Sequence, residues 1–336
     1  MARRRSTVPR AAVHRLPPLP VIAALAVASL CALAAALAVG SVDVTAATVL
    51  HALTGHTDDV GATVVRELRL PRALAAFAVG GLLAVAGSLM QVLLRNPLAD
   101  PYVLGLSGGA ACGALTALLL GAAAFATPAA FVGACVSTSI VFGLARGRGA
   151  WSPTRLLLTG VVVAAGFGAL IMLILSLAPD AQVRGMLFWL IGDLSGATQG
   201  TLALAALVVV LALALPLARD ANLLARGDLA AASLGVPVAG VTLALHALAA
   251  AATAVAVTVA GSIGFVGLVV PHAVRLVLGN DQRYLLPASA LAGGALLVVA
   301  DTLARTIVAP AQLPVGVLTA LAGVPMFLWL LRKAAP

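Results

Sequence analysis

Charge is scarce in this chain. Only 9% of its 336 residues are Asp, Glu, Lys or Arg, where a soluble domain carries about 25%. Aromatic residues make up 4%. So few polar side chains cannot cover a water-facing surface, which excludes a soluble globular domain and a disordered tail. Lysine occurs once, as Lys333. A phosphate-binding GxxxxGK[ST] loop therefore cannot be written, and any ATP-driven step needs another chain. The three cysteines, Cys31, Cys112 and Cys135, lie in apolar runs without CxxC spacing, which excludes a disulfide scaffold; they read as small buried hydrophobes. HExxH is absent, so a zincin-type metalloprotease is excluded, and no cofactor or metal is expected.

What is abundant is Ala, Leu and Val. Hydrophobic residues reach 62%, and the mean hydropathy is +1.13. The apolar runs show no strand-like alternation, so helices are the expected spanning element. A hydrocarbon layer of about 30 Å takes about 20 helical residues. Ten intervals qualify: 19–40, 72–94, 103–125, 128–145, 155–177, 200–217, 240–260, 262–279, 285–304 and 314–331. Pro271 is expected to interrupt the eighth. The reading is an all-α integral membrane protein: a basic N-terminus over 1–18, then a transmembrane domain over 19–333.

Formal charge is +9, from 20 Lys+Arg against 11 Asp+Glu, yet the arginines are scattered singly, which argues against nucleic acid. They sort by side instead. Arginines before the first span favour a cytoplasmic start and an uncleaved first helix. An even number of crossings then places both termini in the cytoplasm. Arg95, Arg146, Arg155, Arg219, Arg226, Arg275 and Arg283 fall inside. Arg66, Arg69, Arg72, Arg184 and Arg305 fall outside, against the rule. Arginines held on the wrong side point to a docking surface for something acidic. The inner segment 218–239 starts polar and is stopped by Gly235 and Pro237, as one or two short helices lying on the membrane face would be.

Three blocks carry most of the signal. In residues 69–110, Arg69 and Arg72 flank Pro71, and Asn96-Pro97-Leu98-Ala99-Asp100-Pro101 must break the helix at a membrane boundary. Such a break is tolerated where it lines protein or water, as a gate would. In residues 261–287, His272 and Arg275 follow Pro271 within a span, where ionisable groups are costly and tend to be functional. The third block runs over 300–333. Val85-Ala-Gly-Ser88 recurs as Val259-Ala-Gly-Ser262 five crossings later, which fits an inverted repeat.

With these blocks, the chain resembles the FecCD/BtuC-like permease family of ATP-binding-cassette importers for iron–siderophores, haem and cobalamin. The resemblance runs from about residue 60 to 333. It implies a BtuC-like permease fold of ten helices per subunit, in the bacterial inner membrane. It also implies a homodimer around a pore, two ATPase subunits below, and a periplasmic binding protein above. On that likeness Arg69, Arg72 and Arg305 resemble the arginines that meet the binding protein. Asn96 and Leu98, with Pro153 and Thr154, resemble inner-gate positions. Arg219, Arg226, Asp228, Leu234 and Gly235 resemble the coupling segment that sits in the ATPase. Pro97, Pro101, Pro271, His272 and Arg275 are read as structural at helix breaks. Where relatives read ELPVG, this chain has Gln312-Leu-Pro-Val-Gly316, which keeps the hydrogen bonding and loses the charge.

Two other readings compete. Gly105-Leu-Ser107-Gly-Gly109 matches GxSxG, and a rhomboid-like serine protease would need His246 or His272 beside Ser107. An ion-coupled secondary transporter would need an intramembrane acid; Asp301 is the candidate, and Arg305 is expected to neutralise it at i,i+4. The identity of the chelate is not legible in the sequence.

Overall fold

A helix satisfies its own backbone hydrogen bonds, which is what lipid demands of a span. The computed structural model describes residues 16–40, 44–55, 60–146 and 153–334, and among these it contains helices and no strand. In chain order they are α1 (Pro18–Ala38), α2 (Ala46–Thr54), α3 (Val60–Val64), α4 (Leu70–Leu93), α5 (Leu106–Leu119), α6 (Ala126–Arg146), α7 (Pro153–Leu177) and α8 (Asp180–Ile191). Then come α9 (Gly200–Ala214), α10 (Ala218–Leu224), α11 (Asp228–Ser233), α12 (Val238–Ala260), α13 (Val266–Leu278), α14 (Gln282–Ala304) and α15 (Val315–Ala334). The basic residues before Leu16, and Ser152 of the second predicted gate loop, lie outside the described residues.

Each of the ten predicted intervals holds a helix, but not all are full spans. Six helices are long and apolar enough to cross alone; α9 and α10 form a further candidate bent by 65°. The 14-residue α5 and 13-residue α13 are short. Each follows an irregular stretch, 94–105 before α5 and 261–265 before α13. The helix lengths then repeat: 24, 14, 21 and 25 residues for α4 to α7, and 23, 13, 23 and 20 for α12 to α15. This long–short–long–long order supports the inverted repeat. The four-residue echo does not: residues 85–88 lie inside α4, whereas 259–262 straddle the end of α12.

Pro271 corrects another expectation. It stands inside α13 and does not end it. Its missing N–H leaves the Gly267 carbonyl without the usual i+4 donor. That oxygen is met from outside by Gly87 of α4, where an added Cβ would fall 1.8 Å away. The adjacent Leu268 carbonyl accepts from Gln91 Nε2 at 3.2 Å. A neighbouring helix thus carries the break that the sequence placed in the backbone. Cys31 and Cys135 are likewise corrected: both are exposed on the outside of the bundle.

α4 forms the centre. It is buried along nearly its whole length and packs against α9, α12, α13 and α14. Its run of Ala and Gly lets backbones close in, which drives helix association where lipid is as apolar as the protein. A Cβ on Gly80 would sit 2.2 Å from the Gly293 carbonyl oxygen of α14. By contrast α7 is exposed over most of its length.

Candidate functional site

The two ends of α4 organise two polar clusters. At its N-terminal end the guanidinium of Arg72 grips Asp301 of α14: Nε donates at 2.9 Å to Oδ2 and Nη2 at 2.8 Å to Oδ1. Its Nη1 donates to Gln312 Oε1 at 2.7 Å. Arg69 donates through Nη1 to the Leu37 and Ala38 carbonyls, both at 2.8 Å, and Arg305 donates to Ala36. The last carbonyls of α1 have no partner within their own helix, and the helix dipole makes that end negative, so cations suit it. Arg69 is only 5% exposed. The predicted arginine trio does converge, since Arg69, Arg72, Arg305 and Gln312 line one cavity of about 170 Å³. As an exposed rim it is corrected: Arg69 is buried, the Arg72 side chain is only 12% exposed, Arg305 is half-buried, and Arg66 and Glu67 are the exposed charged residues of the segment.

Asp301 supplies a second correction. Its ion pair is with Arg72, 229 residues away in sequence, and not with the i,i+4 neighbour Arg305. The acid that an ion-coupled carrier would use is therefore committed to Arg72.

Close to this cluster opens a larger cavity of about 850 Å³, sharing Gln312 and lined by Arg184, Trp189, Asp193, Thr258 and Gly261 among others. Arg184 lies 5.8 Å from the centre of the Phe188 ring. Sequence reasoning did not foresee α8, which supplies Arg184 and Trp189; its 12 residues are too few for a span.

At the other end, α4 closes with two crossed hydrogen bonds, Asn96 N to Gln91 O at 3.2 Å and Arg95 N to Val92 O at 3.1 Å. This is the Schellman pattern. Asn96 is exposed and its Oδ1 accepts from Leu98 N at 3.0 Å, tightening the turn; Leu98 is half-buried. His272 of α13 is buried. Tyr102 accepts from Ile263 N at 3.0 Å and donates to Ile263 O at 3.1 Å. Pro101 packs on Gly267, within 2.7 Å of where a Cβ would stand. The two irregular stretches are thus one contact, and α13 is its anchor. The Asp100 carboxylate caps this turn, accepting from Tyr102 N at 2.8 Å. Arg275 lies half-buried one turn past His272.

The predicted coupling segment folds as the two short helices α10 and α11. Gly227 and Gly235 take the left-handed conformations that end each turn. Arg219, Arg226 and Leu234 are exposed, and Leu229, which the sequence did not single out, is 90% exposed. Asp228 pairs with Arg95. Asn222 joins α10 to α14, donating to Asp281 Oδ1 and accepting from Gln282 N, each at 2.8 Å. Buried Gln282 accepts in turn from Ser88 of α4 at 3.0 Å. Arg283, foremost, holds the Asp281 carboxyl down to about 2. Of the second pair predicted for a gate, Pro153 opens α7, where its missing N–H costs nothing, and Thr154 is exposed.

The GxSxG reading finds no support in this geometry. His246 bonds to the Thr242 carbonyl at 2.8 Å and stacks edge-on with Phe142. Among the described residues no hydrogen bond joins His246 or His272 to Ser107.

The model of the FecCD transport family matches residues 25–333. The hemin transport system permease protein HmuU of Yersinia pestis is 44% identical over 82% of this chain and 85% of its own length. The vitamin B12 import system permease protein BtuC of Escherichia coli is 40% identical over 82% and 85%. A solved metal-chelate type ABC transporter in an inward-facing conformation superposes with a TM-score of 0.84 at 27% identity, covering 94% of this chain and 99% of that one. The chain belongs to the FecCD transport family and is a permease subunit of an ABC importer.

Proposed function

We propose that the cargo is a large metal chelate of the haem, cobalamin or ferric-siderophore class, moved from a periplasmic binding protein to the cytoplasm by alternating access. The carrying observation is the meeting of the two irregular stretches, 94–105 and 261–265, through Tyr102 and Ile263, with Pro101 packed on Gly267 just beyond. Irregular backbone at membrane depth belongs where helices must move past a path. Asn96 and Leu98, with Pro153 and Thr154, form the inner gate in this reading. Arg219, Arg226, Asp228, Leu234 and Gly235 face the ATPase, which supplies the energy this chain lacks. Both termini are cytoplasmic, and two copies enclose the pore.

The binding protein docks at the opposite end. Among the described residues, Arg72 pairs with Asp301 and Arg305 reaches the Ala36 carbonyl, while the neutral Gln312 adds no negative charge. The excess positive charge suits an acidic partner. Arg305 is its reachable member, Arg72 is held by Asp301, and Arg69 holds the backbone frame.

The test is uptake into vesicles holding the permease with its ATPase, with labelled cyanocobalamin, hemin and a ferric siderophore each offered on its binding protein. ATP-dependent accumulation of one of the three is expected. Accumulation driven by a proton gradient without the ATPase would overturn the reading.

A further inference from the structure

Arg95 is one of two non-glycine residues in the described chain with a left-handed backbone, at φ +48°. It occupies the position of a Schellman motif that glycine fills without strain. Carrying a side chain there is unfavourable, because the Cβ crowds the following carbonyl. A strained residue persists when its side chain is needed, and the inference runs from the outlier to a role.

The side chain of Arg95 reaches Asp228, the first residue of α11. Stability does not account for this. Both side chains are partly open to water, at 34% and 47% exposure, and ion pairs this exposed contribute little. The position of the pair is what distinguishes it. It spans from the end of α4, one residue before Asn96, to the segment that faces the ATPase. The other left-handed residue, Phe265 at φ +68°, stands in the corresponding stretch before the second short helix, α13. Its side chain packs where a Cβ on Gly323 would lie, 2.4 Å from the Phe265 Cβ. Both halves therefore spend backbone strain on a side chain at the break ahead of the short helix.

We infer that the Arg95–Asp228 ion pair is the strut through which movement of α10 and α11 reaches the 94–105 gate, which makes Arg95 a positioning residue for transport. This rests on the importer reading above. A shift of α11 pulls a charged tether attached directly to the hinge, whereas the Asn222–Gln282–Ser88 chain links α10 to the rigid body of α4.

The test uses the full permease–ATPase complex in lipid nanodiscs. Cys31, Cys112 and Cys135 are replaced by serine, and Leu98→Cys reports the gate through its rate of labelling by an impermeant maleimide. In the unsubstituted pair the rate should differ several-fold between nucleotide-free and vanadate-trapped complexes. That difference should vanish in Arg95→Gly and Asp228→Asn, and return in the charge swap Arg95→Asp/Asp228→Arg. Arg95→Gly suits the left-handed backbone, so its thermal midpoint should hold or rise. A nucleotide response that survives in both single variants overturns the strut alone. A lowered midpoint, or loss of the co-purifying ATPase, in Arg95→Gly also overturns it, because the pair would then be structural or part of docking. No nucleotide response in the unsubstituted pair removes the importer reading and the strut together.

Discussion

Asp301 shows how far one carboxylate can organise its surroundings. It is 3% exposed and lies among Arg69, Arg72 and Arg305. Removing its charge would leave Arg72 buried with a neutral partner. Breaking a buried pair from one side costs about 3–5 kcal/mol, because the remaining charge is left uncompensated. Asp301→Asn should therefore lower the thermal midpoint of the detergent-solubilised permease markedly, and Arg305→Gln, whose guanidinium reaches a backbone carbonyl, much less. Equal losses would mean that Arg305 shares the ion pair. The sequence made the existence of this cluster legible, because its charge pattern set these arginines apart from the others and called for a reason. It did not reveal the pairing. A spacing of four on one helix is visible in a string of letters, whereas the 229-residue separation of Arg72 and Asp301 appears only when α4 and α14 pack.

At the scale of the element, the same contrast governs what was legible. Ten apolar intervals announced ten helices because hydropathy is local. The shortness of α5 and α13 was hidden, since apolar residues in 261–265 look alike whether helical or extended. What separates the cases is contact with neighbours. Ile263 sits in irregular backbone because Tyr102 satisfies both its N–H and its carbonyl. Pro271 read as a break because the sequence does not show Gln91 and Gly87 waiting on α4. The glycines divide in the same way. A Cβ on Gly87 would strike the Gly267 carbonyl, whereas Gly143 of α6 has nothing within 4 Å. Gly87→Ala should force α4 and α13 apart, at a cost of about 1–3 kcal/mol or more. Gly143→Ala should be neutral or stabilise by up to about 1 kcal/mol, as alanine is the better helix former. Thermal midpoints of the two variants give the comparison, and similar values would remove the close-approach account of α4.

For the whole molecule the open question is what covers α7. Its exposed apolar residues, Val161, Val162, Met172 and Leu173 among them, could face lipid as comfortably as protein. Hydrophobicity does not choose between the two, because no hydrophobic gain attends association inside a bilayer. The small residues do. Ala164-Ala-Gly166-Phe-Gly168-Ala169 clusters them as α4 does, yet Gly166 and Gly168 have nothing within 4 Å of their Cβ positions in this chain. Lipid needs no such gap, whereas an approaching helix backbone does. The homodimer proposed for transport would place α7 of each copy at or beside the partner. Gly166→Leu with Gly168→Leu should then convert two permeases per complex to one, read as mass in native mass spectrometry from mild detergent. The matched change on the outward face of α1, Ala24→Leu with Ala28→Leu, should leave the dimer intact. A dimer that survives the α7 change would move the interface elsewhere, while a monomeric unsubstituted protein would remove the homodimer itself.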